Sequence, residues 1–244
     1  MFNNIYNGKK VLVTGHTGFK GSWLSLWLID IGATVVGFSN GIPTSPSIYE
    51  DTNLASKITN YSGDIRNIEL LEEVILNEKP DFIFHLAAQP IVSESYADPV
   101  GTITTNAIGT MNLLEVLRKV EWECSVVLIT SDKSYDNVEW VWGYKESDSL
   151  GGKDIYSGSK GAAELIINSY HHSFFDQKIT NVRMAVARAG NVIGGGDWAK
   201  DRIVVDCMRA WYSKETVEIR CPDATRPWQH VLEPLSGYLA LGES

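Results

Sequence analysis

At 244 residues, 44% of them hydrophobic and 21% charged, the chain has the composition of an ordinary folded protein with room for one well-buried core, as one large or two small domains. Its formal net charge of −9 disfavours a nucleic-acid or anionic-membrane surface, since those partners are bound through clustered Lys and Arg, so any phosphate ligand has to be held locally. The N-terminus MFNNIYNGKK has no charged segment leading into an apolar one, no stretch approaches ~18 uninterrupted apolar residues, and Cys124, Cys207 and Cys221 lack CxxC spacing; a cytoplasmic protein with reduced thiols and no structural metal is expected.

In chain order, short apolar runs alternate with segments of helical spacing. Strands are expected over 11–13, 34–38, 81–88, 125–130 and 182–189, and helices over 22–31, stopped by Gly32, then 69–77, 106–119 and 159–170. The strand runs are continuously hydrophobic, as in strands covered on both faces, and strand-helix alternation predicts an α/β fold with a doubly wound parallel sheet, Rossmann-like. From residue 194 the chain becomes rich in Gly, Asp, Arg and Trp, with a helix expected over 203–214 and a short strand over 217–220. Residues 1–193 thus read as a dinucleotide-binding domain and 194–244 as a smaller, truncated substrate-binding region.

Gly15, Gly18 and Gly21 follow the first strand directly and open the first helix, within TGHTGFKG. Glycines there let backbone approach a pyrophosphate, whose charge faces the free N–H groups of the first helical turn; Thr17, Phe19 and Lys20 complete the loop. Asp64 and Ile65 lie where a strand should end over the adenine side, and HLAAQP supplies Leu86, Ala87 and Ala88, small enough to leave room for a flat ring. The stretch Gly37, Phe38, Ser39, Asn40 carries neither the acid that marks NAD nor the Arg that marks NADP, and lack of Arg favours NAD only mildly.

Tyr156 and Lys160, four apart at the start of a helix, share one face. A nearby ammonium stabilises phenolate and is expected to pull the tyrosine down toward the working range of a general base. At the carboxyl edge of the sheet, ITSDKSYD places Ser131 to donate to the same substrate oxygen, and adds Asp132 and Lys133 as an acid/base pair that a simple dehydrogenase does not need. Arg202, Arg220 and Arg226 suit phosphate oxygens, and Asn191 suits a substrate diphosphate. Trp140, Trp142 and Trp198 read either as walls of a sugar pocket or as core aromatics.

By TGHTGFKG, HLAAQP, the Ser131 position and YSGSK the chain resembles the extended short-chain dehydrogenase/reductase family. Within it, TSDKSYDN, EWVWGYKE, ARAGNVIGGGDWAKDR and RPWQHVLEPLSGY resemble nucleotide-sugar 4,6-dehydratases that act on CDP-glucose. The resemblance implies bound NAD, contacted also by Asn106, Tyr156, Lys160 and Ala189, and a sugar site that includes Gln89. It implies oxidation at C4 with Tyr156 as base, loss of water across C5 and C6 by Asp132 and Lys133 in roles left open, and hydride return to C6. Lys133 could serve as base only when neutral, which would require a depressed pKa. Ile155 stands where the family has proline, Gly158 where YSNSK has Asn, and Ser134 where it has Cys; none removes a proton-transfer group. The resemblance further implies a homodimer built on the helices over 106–119 and 159–170, and about a hundred more residues than this chain has. A 4-epimerase or decarboxylase, and a catalytically silent dinucleotide-binding protein, are the rival readings.

Overall fold

The computed structural model describes residues 2–176, 181–219 and 222–243. Six strands, β1 (Lys10–Thr14), β2 (Thr34–Ser39), β3 (Thr59–Ser62), β4 (Phe82–His85), β5 (Cys124–Ile129) and β6 (Val182–Ala187), form one sheet in the order β3-β2-β1-β4-β5-β6, every neighbouring pair parallel. The winding reverses between β1 and β4, which opens a crevice beyond the carboxyl ends of those strands. The continuous hydrophobicity has a direct cause: Leu12 faces one covering layer, with Ile83, Val126 and Leu113, while Val11 and Val13 face the other, with Leu24, Leu28 and Leu235.

The helices are α1 (Phe19–Asp30), α2 (Ile48–Asp51), α3 (Ile68–Glu78), α4 (Val92–Ala97), α5 (Pro99–Ile103), α6 (Gly109–Leu117), α7 (Ile155–Tyr170), α8 (Ile203–Tyr212) and α9 (Leu232–Glu243). A π-helical turn, Thr104–Ile108, joins α5 to α6, so that path starts at Pro99 rather than at the expected 106; Asp98 caps it by accepting from Gly101 N, with proline in the first turn. Likewise α7 starts four residues before the expected 159, because Asp154 accepts from Ser157 N. Apolar periodicity sees neither cap. The strand expected over 81–88 ends at His85: Leu86 N donates to Thr14 O and Ala87 N to Thr14 Oγ1, which turns the chain into the crevice.

One expectation is corrected. Residues 217–219 pair with no strand among the described residues, and Arg220, like Cys221, lies outside them; the second small sheet is instead β7 (Val192–Ile193) paired in parallel with β8 (Gln229–His230). The end of the region from 194 onward packs on the sheet. Val231, Leu235, Tyr238 and Leu239 are buried against Tyr6, Phe84 and Val127, so α9 belongs to the main core.

Candidate active site at the carboxyl edge of the sheet

The turn from β1 to α1 is closed by backbone alone. Gly15 adopts φ +74° and a Cβ there would lie 2.8 Å from Ala87 N, while a Cβ on Gly21 would lie 2.1 Å from Gly15 O. The N-cap, Gly18, offers no capping side chain and the first turn of α1 holds no acid but does hold Lys20. Its leading N–H groups are therefore suited to an anion, as the dinucleotide reading requires. Thr17 Oγ1 donates to Gly41 O at 2.6 Å and braces the loop. Asp64 lies just beyond β3; hydrogen bonds from Arg66 foremost, then one from Asn40 at the end of β2, hold its carboxyl below the usual range. Ile65, by contrast, is a core residue packed on Gly109.

Asn106 and Gln89 are bonded to one another and to their neighbours. The Asn106 amide accepts from Gln89 N and donates to Gln89 O and to Ser159 Oγ, which takes both of its N–H groups. Gln89 donates to Thr102 Oγ1 and accepts from Ile91 N. These bonds brace the turn after β4, with the buried Asn106 amide at its centre.

Ser131 follows β5 and caps a single 3-10 turn, Asp132–Ser134: its Oγ accepts from Lys133 N at 3.2 Å and donates to Asp132 Oδ1 at 3.0 Å. Asp132 N in turn donates to Ala189 O, tying this turn to the end of β6. Across from it, Tyr156 (8% exposed) and Lys160 (6%) lie one helical turn apart at the start of α7. The structure thus brings Ser131, Asp132, Tyr156 and Lys160 together.

The electrostatics differ from the expected phenolate. Burial raises the Tyr156 pKa, and this outweighs the lowering by a hydrogen bond from Ser131 and by the charge of Arg202. The lowering comes from Ser131 and Arg202 rather than from Lys160, whose own pKa burial first, then the charge of Lys20, pushes down to about 8, against the pull of Glu164. Arg202, expected at a diphosphate, has a buried Nε with no hydrogen-bond partner, and its charge acts on both Tyr156 and Lys20. As pH rises through about 8 the Lys160 charge is lost, so turnover that depends on it is expected to fall on that alkaline limb. Lys20→Met removes one of the two causes and should move the limb upward in a pH-rate profile; an unmoved limb would assign it to another group.

The remaining positions make contacts of their own. Asn191 O accepts from Gln229 N at the β7-β8 junction, Arg226 is exposed and donates to Thr225 O, and Trp140 and Trp142 are exposed at 46% and 75%, so neither is a core aromatic. Trp198 O accepts from Arg209 Nη2. Unforeseen in the sequence is Glu164 on α7, which accepts from Thr130, Ser134 and Arg188 directly behind the Asp132 turn. Its signal was present: Glu164 is four residues after Lys160 and eight after Tyr156, on the same buried face.

The family model described as GDP-mannose 4,6 dehydratase matches residues 12–239. The CDP-glucose 4,6-dehydratase of Salmonella typhimurium is 51% identical over 243 residues, 98% of this chain and 68% of that protein. An epimerase of Methanothermobacter thermautotrophicus superposes with a TM-score of 0.83 at 26% identity, over 99% of this chain and 70% of that one. MoeE5, solved with UDP-glucuronic acid and NAD, gives a TM-score of 0.75 at 26% identity over 93% and 70%. No helix among the described residues is long and apolar enough to cross a membrane.

Proposed function

Since the chain belongs to the GDP-mannose 4,6-dehydratase family, we propose that it is an NAD-dependent lyase that converts CDP-glucose to CDP-4-keto-6-deoxyglucose and water. What supports this reading is the 51% identity to a CDP-glucose 4,6-dehydratase, together with the Ser131–Asp132 turn after β5 and the buried Tyr156 and Lys160 at the start of α7. The uncapped turn Gly15 to Gly21, with Thr17, Phe19 and Lys20, would hold the pyrophosphate of NAD, Leu86, Ala87 and Ala88 would line its ring, and Asp64 would stand at the adenosine end. When bound, NAD supplies the acceptor for the C4 hydride and the donor of that hydride to C6.

Tyr156 as phenolate takes the C4 hydroxyl proton, with the Arg202 charge stabilising its charged form. The C4 ketone acidifies C5; Lys133 removes that proton and Asp132 protonates the departing C6 hydroxyl, which leaves as water. Lys133 then returns its proton to C5 as C6 is reduced. Arg202, Arg226 and Asn191 would meet the diphosphate, with Arg220 outside the described residues. A 4-epimerase needs no acid/base pair for C5 and C6, so Asp132 and Lys133 favour dehydration. Incubation with CDP-glucose is expected to yield the alkaline ultraviolet absorbance of a 4-keto sugar. Product only from another nucleotide sugar would overturn the substrate, and none from any would favour a silent binding protein.

The protein is further expected to act as a cytoplasmic homodimer, in keeping with its free thiols Cys124 and Cys207. Val100 (70% exposed), Ile103 (42%) and Tyr96 (70%) on α4 and α5, with Leu165 (57%) on α7, leave an apolar face beside the active-site helix for a second copy. Leu165→Glu should convert a dimer to monomer in light scattering; a monomeric wild-type protein would refute the pairing.

A further inference from the structure

We propose that His171, His172 and Asp176, just beyond the end of α7 that lies away from Tyr156, form a surface site for a divalent cation of the zinc class. The site is independent of the dehydration reading above. It uses no cysteine, and so differs from the thiolate-held structural metal that the cysteine spacing argues against. The backbone explains why these three side chains meet. Beyond Tyr170 the helix widens into a π-helical turn, His171–Phe175, closed by Asp176 N donating to His171 O at 2.7 Å. In an α-helix a side chain neighbours those three and four residues before it, whereas an i→i+5 turn holds one residue more. Asp176 is thereby brought over His171 as well as over His172, four residues before it. One ligand atom from each of the three lies within 4.8 Å of the other two. His172 Nδ1 and Asp176 Oδ2 are 3.4 Å apart, and the two imidazole rings stand edge to face with 5.5 Å between centroids. That separation is long for a hydrogen bond but matches the roughly 3.4 Å between two ligands of a tetrahedral zinc ion with bonds of ~2.0–2.1 Å.

The turn is held from behind. Phe175 is buried in the core layer that contains Ile167 and Val182. Phe174 lies under the Arg118 guanidinium at 4.0 Å and packs on Tyr170, whose hydroxyl donates to Glu115 on α6. The ligands themselves face outward: His171 is half-buried, and the side chains of His172 and Asp176 are 64% and 61% exposed. A cation therefore meets three donors on a fixed backbone, with solvent free to complete its coordination. Two imidazoles and one carboxylate suit the borderline transition metals, whereas Mg2+ and Ca2+ are held by oxygen ligands alone. Among the transition metals zinc asks least of the geometry, since it has no directional preference of its own and accepts three protein ligands with water as the fourth. Bound there, it would fasten the last turn of the helix that carries Tyr156 and Lys160 at its other end.

The test is a calorimetric titration of the purified, metal-free chain with Zn2+ alone at neutral pH. One equivalent is expected to bind at this group. His172→Ala and Asp176→Asn should each weaken it by at least ~10-fold, the loss that even outer-shell changes cause at zinc sites. His230→Ala, which removes an exposed histidine outside the group, should leave it unchanged. Co2+ in place of zinc should give visible d–d absorption without the near-ultraviolet charge-transfer band of thiolate ligands. Failure of the wild-type chain to bind zinc would overturn the site, as would binding that both His172→Ala and Asp176→Asn leave unchanged. A thiolate band, or displacement of zinc by excess Mg2+, would overturn the donor set. Should either variant fail to fold, the wild-type protein decides: diethyl pyrocarbonate should label His171 and His172 without zinc and spare them with it, while His230 is labelled in both, and equal labelling of His171 and His172 with and without zinc refutes the site.

Discussion

Tyr156→Phe is expected to abolish keto-sugar formation from CDP-glucose, by about 10³-fold or more, while the protein melts within a degree or two of wild type. The substitution removes one hydroxyl from a side chain that is 8% exposed and leaves its ring in place. What goes with the hydroxyl is the only proton acceptor that α7 presents beside Ser131, and burial had already made that acceptor hard to ionise. Lowering the phenol into a working range therefore depends on the charges around it. Arg202 reaches it from the loop before α8, and Lys160 lies one turn along the same helix as a second cation at the site. Lys160→Met is accordingly expected to follow Tyr156→Phe in direction at neutral pH. Binding of NAD to Tyr156→Phe, measured by calorimetry, should persist, since the turn from Gly15 to Gly21 is built without Tyr156. A Tyr156→Phe protein that still turned over within tenfold of wild type would remove the phenol from the chemistry.

How much of this could be read from the chain depends on how local the signal was. The glycine triplet, the strand runs and the Tyr156/Lys160 spacing are short-range patterns, and the sheet, its parallel pairing and the site at its carboxyl edge follow from them. β3 was not delimited, because its edge position leaves Thr59 and Asn60 exposed and the run carries no hydrophobic stretch. The helix starts at Pro99 and Ile155 were hidden for a different reason: they are set by Asp98 and Asp154 caps, polar residues that periodicity ignores. The sign of the Tyr156 shift was not legible at all, as it depends on burial by elements far apart in the chain. Asn106 and Gln89 show the same limit: their bonds to Ser159 and Thr102 join residues that only the fold brings near.

Glu164→Gln is expected to cost about 3–5 kcal/mol of folding stability, a large part of the ~5–15 kcal/mol that holds a typical domain. The Glu164 side chain is 5% exposed and its ion pair with Arg188, itself 17% exposed, is forked, with Arg188 Nε donating to both carboxylate oxygens at 2.8 and 2.9 Å. Oε1 also accepts from Thr130 Oγ1 at 2.6 Å and from Ser134 Oγ at 2.7 Å. A glutamine keeps the volume but turns an amide N–H₂ toward one set of these donors and leaves the Arg188 charge uncompensated. The loss would not stay local. Arg188 stacks over Tyr135 at 4.4 Å, Tyr135 lies 4.9 Å from Tyr144, and Ser134 belongs to the turn that carries Asp132 and Lys133. The pH dependence gives the prediction its sign. Burial pushes the Glu164 carboxyl up, but the hydrogen bonds from Arg188, Thr130 and Ser134 and the Arg188 charge outweigh it, so the folded pKa lies below the ordinary carboxylate value. A depressed carboxylate stabilises the fold above the unfolded pKa and loses that contribution as pH falls through the folded one. Urea denaturation should therefore show wild type and Glu164→Gln far apart at neutral pH and converging in acid. Arg188→Met added to Glu164→Gln should recover part of the loss, since the stranded charge is then gone. A single-variant cost within ~0.5 kcal/mol, the range of an unconnected surface change, would mean that the carboxylate is not the joint between α7 and the Asp132 turn.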